Sequence, residues 1–277
     1  MAFIKLTKKI LASNVSNEEF LWLENIIFVS RENERILQTA FIAMPKYIKN
    51  TAVVLDPEIK KQFLANVNFS PDGWSLDKFA RALIILHFNP ENEKNYIDRL
   101  NPLFESAEMN ELAALNSFIP LLSYPKNWLT QAKEAVRSNM GPVFDAIAFN
   151  NPYPSEHFDE ASWNLLVLKT IFCGKSIRNI HGLKERANQK LAHMISDFAH
   201  ARWAADKTIS PEVWEIVTPF IDYHLMNDIE KLFQSENIQD QYAAKLSCMQ
   251  SDFKPAKNLL KKYTDPIISE EYKFSNQ

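Results

Sequence analysis

Only four glycines occur in 277 residues, at Gly73, Gly141, Gly174 and Gly182, where the typical ~7% usage would give about 19. Glycine lets backbone approach a ligand closely or reach positive φ. The loops that cradle phosphates, bind dinucleotides or present a serine on a sharp elbow depend on it. None of those spacings can be written with four glycines placed this far apart. The chain is therefore expected to be mostly helical, and no catalytic motif replaces the missing loops.

With 46% hydrophobic residues, a chain of this length can bury roughly three quarters of the surface its unfolded form exposes. A sizeable core is available without metals or disulfides, and a single domain over residues 1–277 is expected. No cofactor is implied. Cys173 and Cys248 read as two unrelated thiols of a reducing compartment, which points to the cytoplasm. The net charge of −3, from 31 basic and 34 acidic residues, provides no basic footprint for nucleic acid. Lys254, Lys257, Lys261 and Lys262 form a basic cluster that reads as a solvated helix face. The longest apolar run lies within Ala80 to Phe88, far short of the ~20 residues of a membrane span. Met1 to Leu11 carries Lys5, Lys8 and Lys9 in place of the apolar stretch of a secretory signal.

Prolines and capping residues divide the chain into about a dozen helices of roughly 10–20 residues. Ser16-Asn17-Glu18-Glu19 is a capping box. Asp56-Pro57, Asn89-Pro90 and Ser210-Pro211 place a capping side chain before a proline at the first helical position. Apolar residues recur with helical period at Ile36, Leu37, Ala40, Phe41 and Met44, at Leu76, Phe79, Ala80 and Leu83, and at Trp163, Leu166, Val167, Thr170 and Ile171. Further helices are expected at 58–67, 91–100, 107–119, 127–137, 142–149, 183–205, 211–222, 225–234 and 238–249. The fold class is all-α. Antiparallel helix pairs would stack into a HEAT-like α-solenoid or pack as an irregular bundle, and the stack is the expectation. Stretches 45–57 and 150–159 read as irregular connections, and 263–277 as a frayed tail.

Several polar residues fall where the helical pattern calls for apolar ones. Asn33 lies on the stripe of Ile36, Leu37 and Ala40; Asn92 and Glu93 lie on that of Tyr96, Ile97 and Leu100; Asn116 sits among Leu112, Ala113 and Ile119. Asn139 and Asn150 flank Val143 and Ile147. A buried polar group without a partner costs about 1–3 kcal/mol, so these side chains need partners. They could form an internal hydrogen-bond ladder or line a binding groove. Glu93 is the sharpest of them, because a carboxylate on an apolar face should titrate high unless Arg99, Arg31 or Arg137 reaches it. Arg186, beside Glu185 and Asn188, is a further candidate for an anionic ligand. The candidate ligand or partner contacts are thus Asn33, Asn92, Glu93, Arg99, Asn139, Asn150 and Arg186. The alternative is a helical enzyme using Glu93 as general acid or base on an anionic small molecule.

His193, Asp197 and His200 share one helix face and could converge on a metal, although that face turns away from the stripe of Leu191, Ile195 and Phe198. His87 reads as a packed histidine or a helix C-terminal charge. His157, His181 and His224 carry no partner spacing. Trp128, Trp163, Trp203 and Trp214 sit at core phases of their helices. Helical prenyl-chain synthases hold Mg²⁺ through paired aspartates, and no Asp-Asp pair exists here, which disfavours that chemistry.

The run Asn92-Glu93-Lys94-Asn95-Tyr96-Ile97-Asp98-Arg99-Leu100-Asn101-Pro102-Leu103-Phe104 resembles the EboA family of bacterial metabolite-traffic proteins. So do Ser138-Asn139-Met140-Gly141-Pro142-Val143-Phe144, Asn150-Asn151-Pro152-Tyr153-Pro154, Gly182-Leu183-Lys184-Glu185-Arg186-Ala187-Asn188 and Ala201-Arg202-Trp203-Ala204-Ala205. The likeness covers roughly residues 30–220. It implies a helical, HEAT-like protein encoded beside a TatD-like hydrolase, a membrane prenyltransferase and several enzyme-like proteins. It also implies a link with production or export of a secondary-metabolite precursor toward the periplasm. It brings no catalytic residues with it. The expectation is a non-catalytic binding or scaffold protein whose partners are other proteins of the ebo-type cluster or a small-molecule metabolite. Gly141 and Gly182 fall inside these segments at expected helix starts.

Overall fold

The computed structural model describes residues 2–31 and 33–263. Among them lie sixteen α-helices and no strand beyond one isolated bridge between Ala52 and Ser75. The all-α expectation is met. The count exceeds a dozen because proline and cap residues isolate short helices that periodicity merges or misses. The frayed tail expected over 263–277 lies outside the described residues except at Tyr263, which ends the last helix and stacks on Phe233 at 4.8 Å.

The described residues fall into two compact units, one running up to Trp163 together with Asn179–His181, the other Asn164–Arg178 together with the residues from Gly182 onward. The first unit contains α1 (Ala2–Asn14), α2 (Asn17–Ser30), α3 (Glu34–Tyr47), α4 (Pro57–Val67), α5 (Leu76–Leu86), α6 (Glu93–Ser106), α7 (Met109–Phe118), α8 (Leu129–Arg137), α9 (Gly141–Ala148) and α10 (Tyr153–His157). Neighbours α2 and α3, and α8 and α9, pack as hairpins, while α1 lies on α5 and α7 on α9. The capping box at Ser16 is formed, with the Ser16 hydroxyl accepting from Glu19 N and the Glu19 carboxylate from Ser16 N at 2.6 Å. Those hydrogen bonds hold the Glu19 carboxyl below the usual range. Helix α6 runs to Ser106 through Pro102 and not to 100 as expected. A proline removes only one donor, and buried Leu103 keeps the last turn packed.

An aromatic cluster centres on Trp74, whose ring lies 6.0 Å from Phe3, 5.6 Å from Phe69, 5.3 Å from Phe79 and 6.3 Å from Phe118. The turn before it needs Gly73 at φ 72°, which any side chain would strain. Helix α5 is pinned by charge as well as by packing. Arg81, 1% exposed, reaches Asp77 Oδ2 at 2.7 Å and Glu111 Oε1 at 3.2 Å. Its Nε donates to the Phe41 carbonyl at 2.9 Å. Three helices, α3, α5 and α7, are thereby joined through one guanidinium.

Helix α11 (Glu160–Phe172) spans the boundary between the units. The second unit continues with α12 (Gln189–Ala204), α13 (Trp214–Val217), α14 (Met226–Phe233), α15 (Ile238–Gln250) and α16 (Lys254–Tyr263). Residues 183–186 form turns and 187–188 are irregular, so they are not the first part of a helix over 183–205. Asn188 is the reason: its Oδ1 accepts from Leu191 N at 2.8 Å and starts α12 there. Gly182 accordingly sits in a left-handed turn at φ 72° and not at a helix start, whereas Gly141 does open α9. The helix expected over 211–222 is only α13 flanked by two 3₁₀ turns, each with a proline in its first two positions, Pro211 and Pro219.

Candidate functional site

In the first unit three chain ends meet around a cavity of about 340 Å³. Arg31 follows the last turn of α2, and His87, Phe88 and Asn89 follow that of α5. The third wall is the start of α6, where Asn95, Tyr96 and Arg99 line the space. Asn92 sets this register, since its Oδ1 accepts from Asn95 N at 2.9 Å as the N-cap. One turn later Tyr96, Leu100 and Leu103 are buried. Asn95 and Arg99, four residues apart, share the adjoining face.

The cavity is cationic. Arg99 lays its Cζ 5.8 Å from the Phe88 ring centroid and donates from Nη1 to the Arg31 carbonyl. That carbonyl is one of those a helix leaves unsatisfied at its C-terminus. One donor is so used, and the remaining N–H groups of the five on a guanidinium are available. Neither Arg31 nor Arg99 has an ion pair among the described residues. His87 is half-buried, with Nδ1 2.6 Å from the Leu83 carbonyl oxygen. Burial pushes its pKa below the ordinary 6.5, outweighing the pull of the Leu83 hydrogen bond, and Lys8 and Arg31 add to the depression. It is neutral at pH 7. The Tyr96 hydroxyl is buried, and its pKa is raised by loss of solvation.

The polar seam expected from periodicity is not one surface. Asn33 and Asn92 are exposed N-caps, Asn33 accepting from Ile36 N at 3.2 Å. Helix starts claim these side chains, which therefore do not face the core. Glu93 is the first residue of α6, exposed to solvent. It does not line the cavity and pairs with none of Arg31, Arg99 or Arg137 among the described residues, which corrects its expected place on an apolar face. Asn139 is also exposed, just before α9. Asn150 is exposed at φ 51°. It borders a separate cavity of about 300 Å³ with Trp74, Lys78 and Asp145. Arg186 belongs to the second unit. Only Arg99 of these residues lines the cationic cavity, where Arg31 joins it. Asn116 alone is deeply buried, and it belongs to an internal ladder. Its Nδ2 donates to Leu112 O at 2.9 Å and its main-chain carbonyl accepts from Asn151 Nδ2 at 2.9 Å, while its buried Oδ1 has no partner among the described residues.

The three residues that could have converged on a metal, His193, Asp197 and His200, do not do so. His193 Nε2 is 2.8 Å from Asp222 Oδ2, and His200 Nε2 is 2.5 Å from Asp228 Oδ1. Each histidine thus takes a carboxylate from another segment, while Asp197 stays exposed. Among the described residues no group of three His, Cys, Asp or Glu could hold a metal ion. Asp228, 1% exposed, is the residue periodicity missed, and Ser196 Oγ donates to it at 2.5 Å. Of the remaining histidines, His181 Nδ1 lies 3.0 Å from Ser155 Oγ, and the His224 ring lies 5.1 Å from that of His193. Trp128, Trp163 and Trp214 are fully buried, as their phases required. Trp203 is half-buried instead, its outer face covered by Lys231 Nζ at 4.6 Å.

No helix among the described residues is long and apolar enough to cross a membrane. No curated protein and no solved structure matches the chain. The family profile described as "Metabolite traffic protein EboA" matches residues 3–218. That span takes in both arginines of the cationic cavity and all the motifs that suggested the likeness. The chain belongs to the EboA family of metabolite traffic proteins.

Proposed function

We propose that this protein is a non-catalytic binding or scaffold component that holds a small organic anion in the cavity of Arg31 and Arg99. It would serve a secondary-metabolite precursor bound for the periplasm, from the cytoplasm and alongside other proteins of the ebo-type cluster. One observation carries the reading: two guanidinium groups border a small cavity, and among the described residues no carboxylate is paired with either. Arginine presents a planar fork of donors that fits carboxylate and phosphate oxygens. The Asn95 amide adds a donor without adding negative charge, whereas neutral His87 spends its Nδ1–H on the Leu83 carbonyl and leaves only an acceptor at Nε2. Asn92 supports the site by fixing the start of α6. The other residues singled out by periodicity, Asn33, Glu93, Asn139, Asn150 and Arg186, take no part in this cavity.

The test is calorimetric titration with benzoate, succinate and inorganic phosphate as probe anions. A charge-assisted hydrogen bond is worth about 1.5–3 kcal/mol, so Arg99→Gln and Arg31→Gln should each weaken the best anion at least about tenfold. Added salt should weaken it further. Saturable binding that both variants retain unchanged would reject the site.

A further inference from the structure

The second unit contains a larger cavity, of about 420 Å³, within the range of sites that hold small organic molecules. Its wall comes from the turns before α12, from α13 with its flanking 3₁₀ turns, and from α15. Ile216, Pro219, Ala243 and Leu246 make it largely apolar. Part of this wall, from Pro219 to Gln250, lies beyond the span matched by the family.

Trp214 borders the cavity and is fully buried, and its indole Nε1 has no hydrogen-bond partner. Indole N–H is a donor only, and buried donors are nearly always paired. The ring itself is held: it stacks on Trp203 at 6.0 Å with the planes 10° apart. Beside it stand two more buried polar groups of the same wall. Thr218 Oγ1 lies 2.7 Å from the Trp214 carbonyl oxygen and 2.8 Å from Ser247 Oγ. The wall of the cavity therefore holds a buried donor without a partner and a hydroxyl pair among apolar side chains.

The mouth has a different character. Lys184, Glu215 and Gln250 line it and are exposed. Glu215 is paired with Arg178, Oε1 to Nη2 at 3.4 Å. Arg178 is shared with Glu212, and Lys184 has no ion pair among the described residues, so its ammonium is available to a ligand at the mouth.

We propose that the second unit holds a separate binding site, for a small apolar carboxylate, in the cavity bordered by Trp214, Ser247 and Lys184. The hydrocarbon part packs against Ile216, Ala243 and Leu246. An oxygen of the ligand accepts from the Trp214 indole, and Lys184 supplies the counter-charge at the mouth. This site is independent of the cationic cavity in the first unit.

Calorimetric titration of the full chain with decanoate, and with decan-1-ol as the uncharged analogue, tests the proposal. Decanoate should bind saturably with one molecule per chain. Leu246→Trp places an indole in the cavity from a half-exposed position and should abolish binding of both probes while the circular dichroism spectrum stays unchanged. Trp214→Phe keeps a ring but removes the donor, and should weaken both probes about tenfold. Lys184→Gln should weaken decanoate about threefold and leave decan-1-ol unchanged. Arg99→Gln should alter neither. Absence of saturable decanoate binding, binding that survives Leu246→Trp, or binding that Arg99→Gln removes would each overturn the assignment. Should Trp214→Phe fail to fold, Leu246→Trp and Lys184→Gln decide the matter alone.

Discussion

Replacing Arg81 with methionine isolates the effect of a single buried charge on the fold. The stem volume is roughly kept while the guanidinium disappears. Asp77 and Glu111, 3% and 8% exposed, would then face each other without a cation. Water cannot readily replace it, because Arg81 itself is only 1% exposed. In the native protein burial pushes the Arg81 pKa down, and the two carboxylates push it back up. Breaking such a buried pair from one side costs roughly 3–5 kcal/mol. The cation–π contact with Phe41, at 5.3 Å, adds about 0.5–2 kcal/mol. A total of about 3.5–7 kcal/mol is a large share of the ~5–15 kcal/mol that stabilises a typical domain. Urea denaturation followed by circular dichroism should show Arg81→Met as a strong fall in midpoint. The triple variant Asp77→Asn, Arg81→Met, Glu111→Gln removes all three charges and should recover most of the loss. A loss below about 1 kcal/mol for Arg81→Met, or a triple variant less stable than the single, would refute the account. Helix α5 also carries His87, Phe88 and Asn89 to the cationic cavity, so Arg81→Met should weaken anion binding without touching an anion.

Two further predictions concern single side chains. Asn188 caps α12 and exchanges hydrogen bonds with Asn164, which is fully buried. Asn188→Ala removes a cap worth ~1 kcal/mol and strands a buried amide at about 1–3 kcal/mol. A thermal or urea midpoint that does not move would show that Asn164 finds another partner. For His87 the folded pKa lies below the unfolded value of about 6.5, so the unfolded chain takes up the proton first as pH falls. Stability should then drop below about pH 6.5, and His87→Asn should flatten that part of the profile. Equal slopes between pH 7.5 and about 5 in both proteins would contradict the burial argument.

Local features were largely readable from the residues. The capping box at Ser16, the prolines at helix starts and the stripes of α3, α5 and α11 use interactions only three or four residues apart. The errors share a cause. An asparagine three residues before a helix stripe has the same phase whether it points inward or caps the helix start. Asn33 and Asn92 took the cap. Periodicity also hid the strongest polar cluster in the first unit. Arg81 stands inside the longest apolar run, although Asp77 four residues earlier was a usable signal. Its second partner, Glu111, is 30 residues away, and no local rule links them.

The cavities show the same limit. Arg31 and Arg99 are 68 residues apart and meet because the ends of α2 and α5 converge on the first turn of α6. Asp228 had no local mark as the partner of Ser196 and His200. Four glycines were enough to exclude loop-built nucleotide and hydrolase sites, because backbone freedom is a property of each residue, and caps with helical periodicity made the chain legible as all-α. Family membership was legible too, being carried by short runs of sequence. Which polar groups end up buried, paired or left open to a ligand was decided only by tertiary packing. Those outcomes depend on distances between segments that lie far apart along the chain.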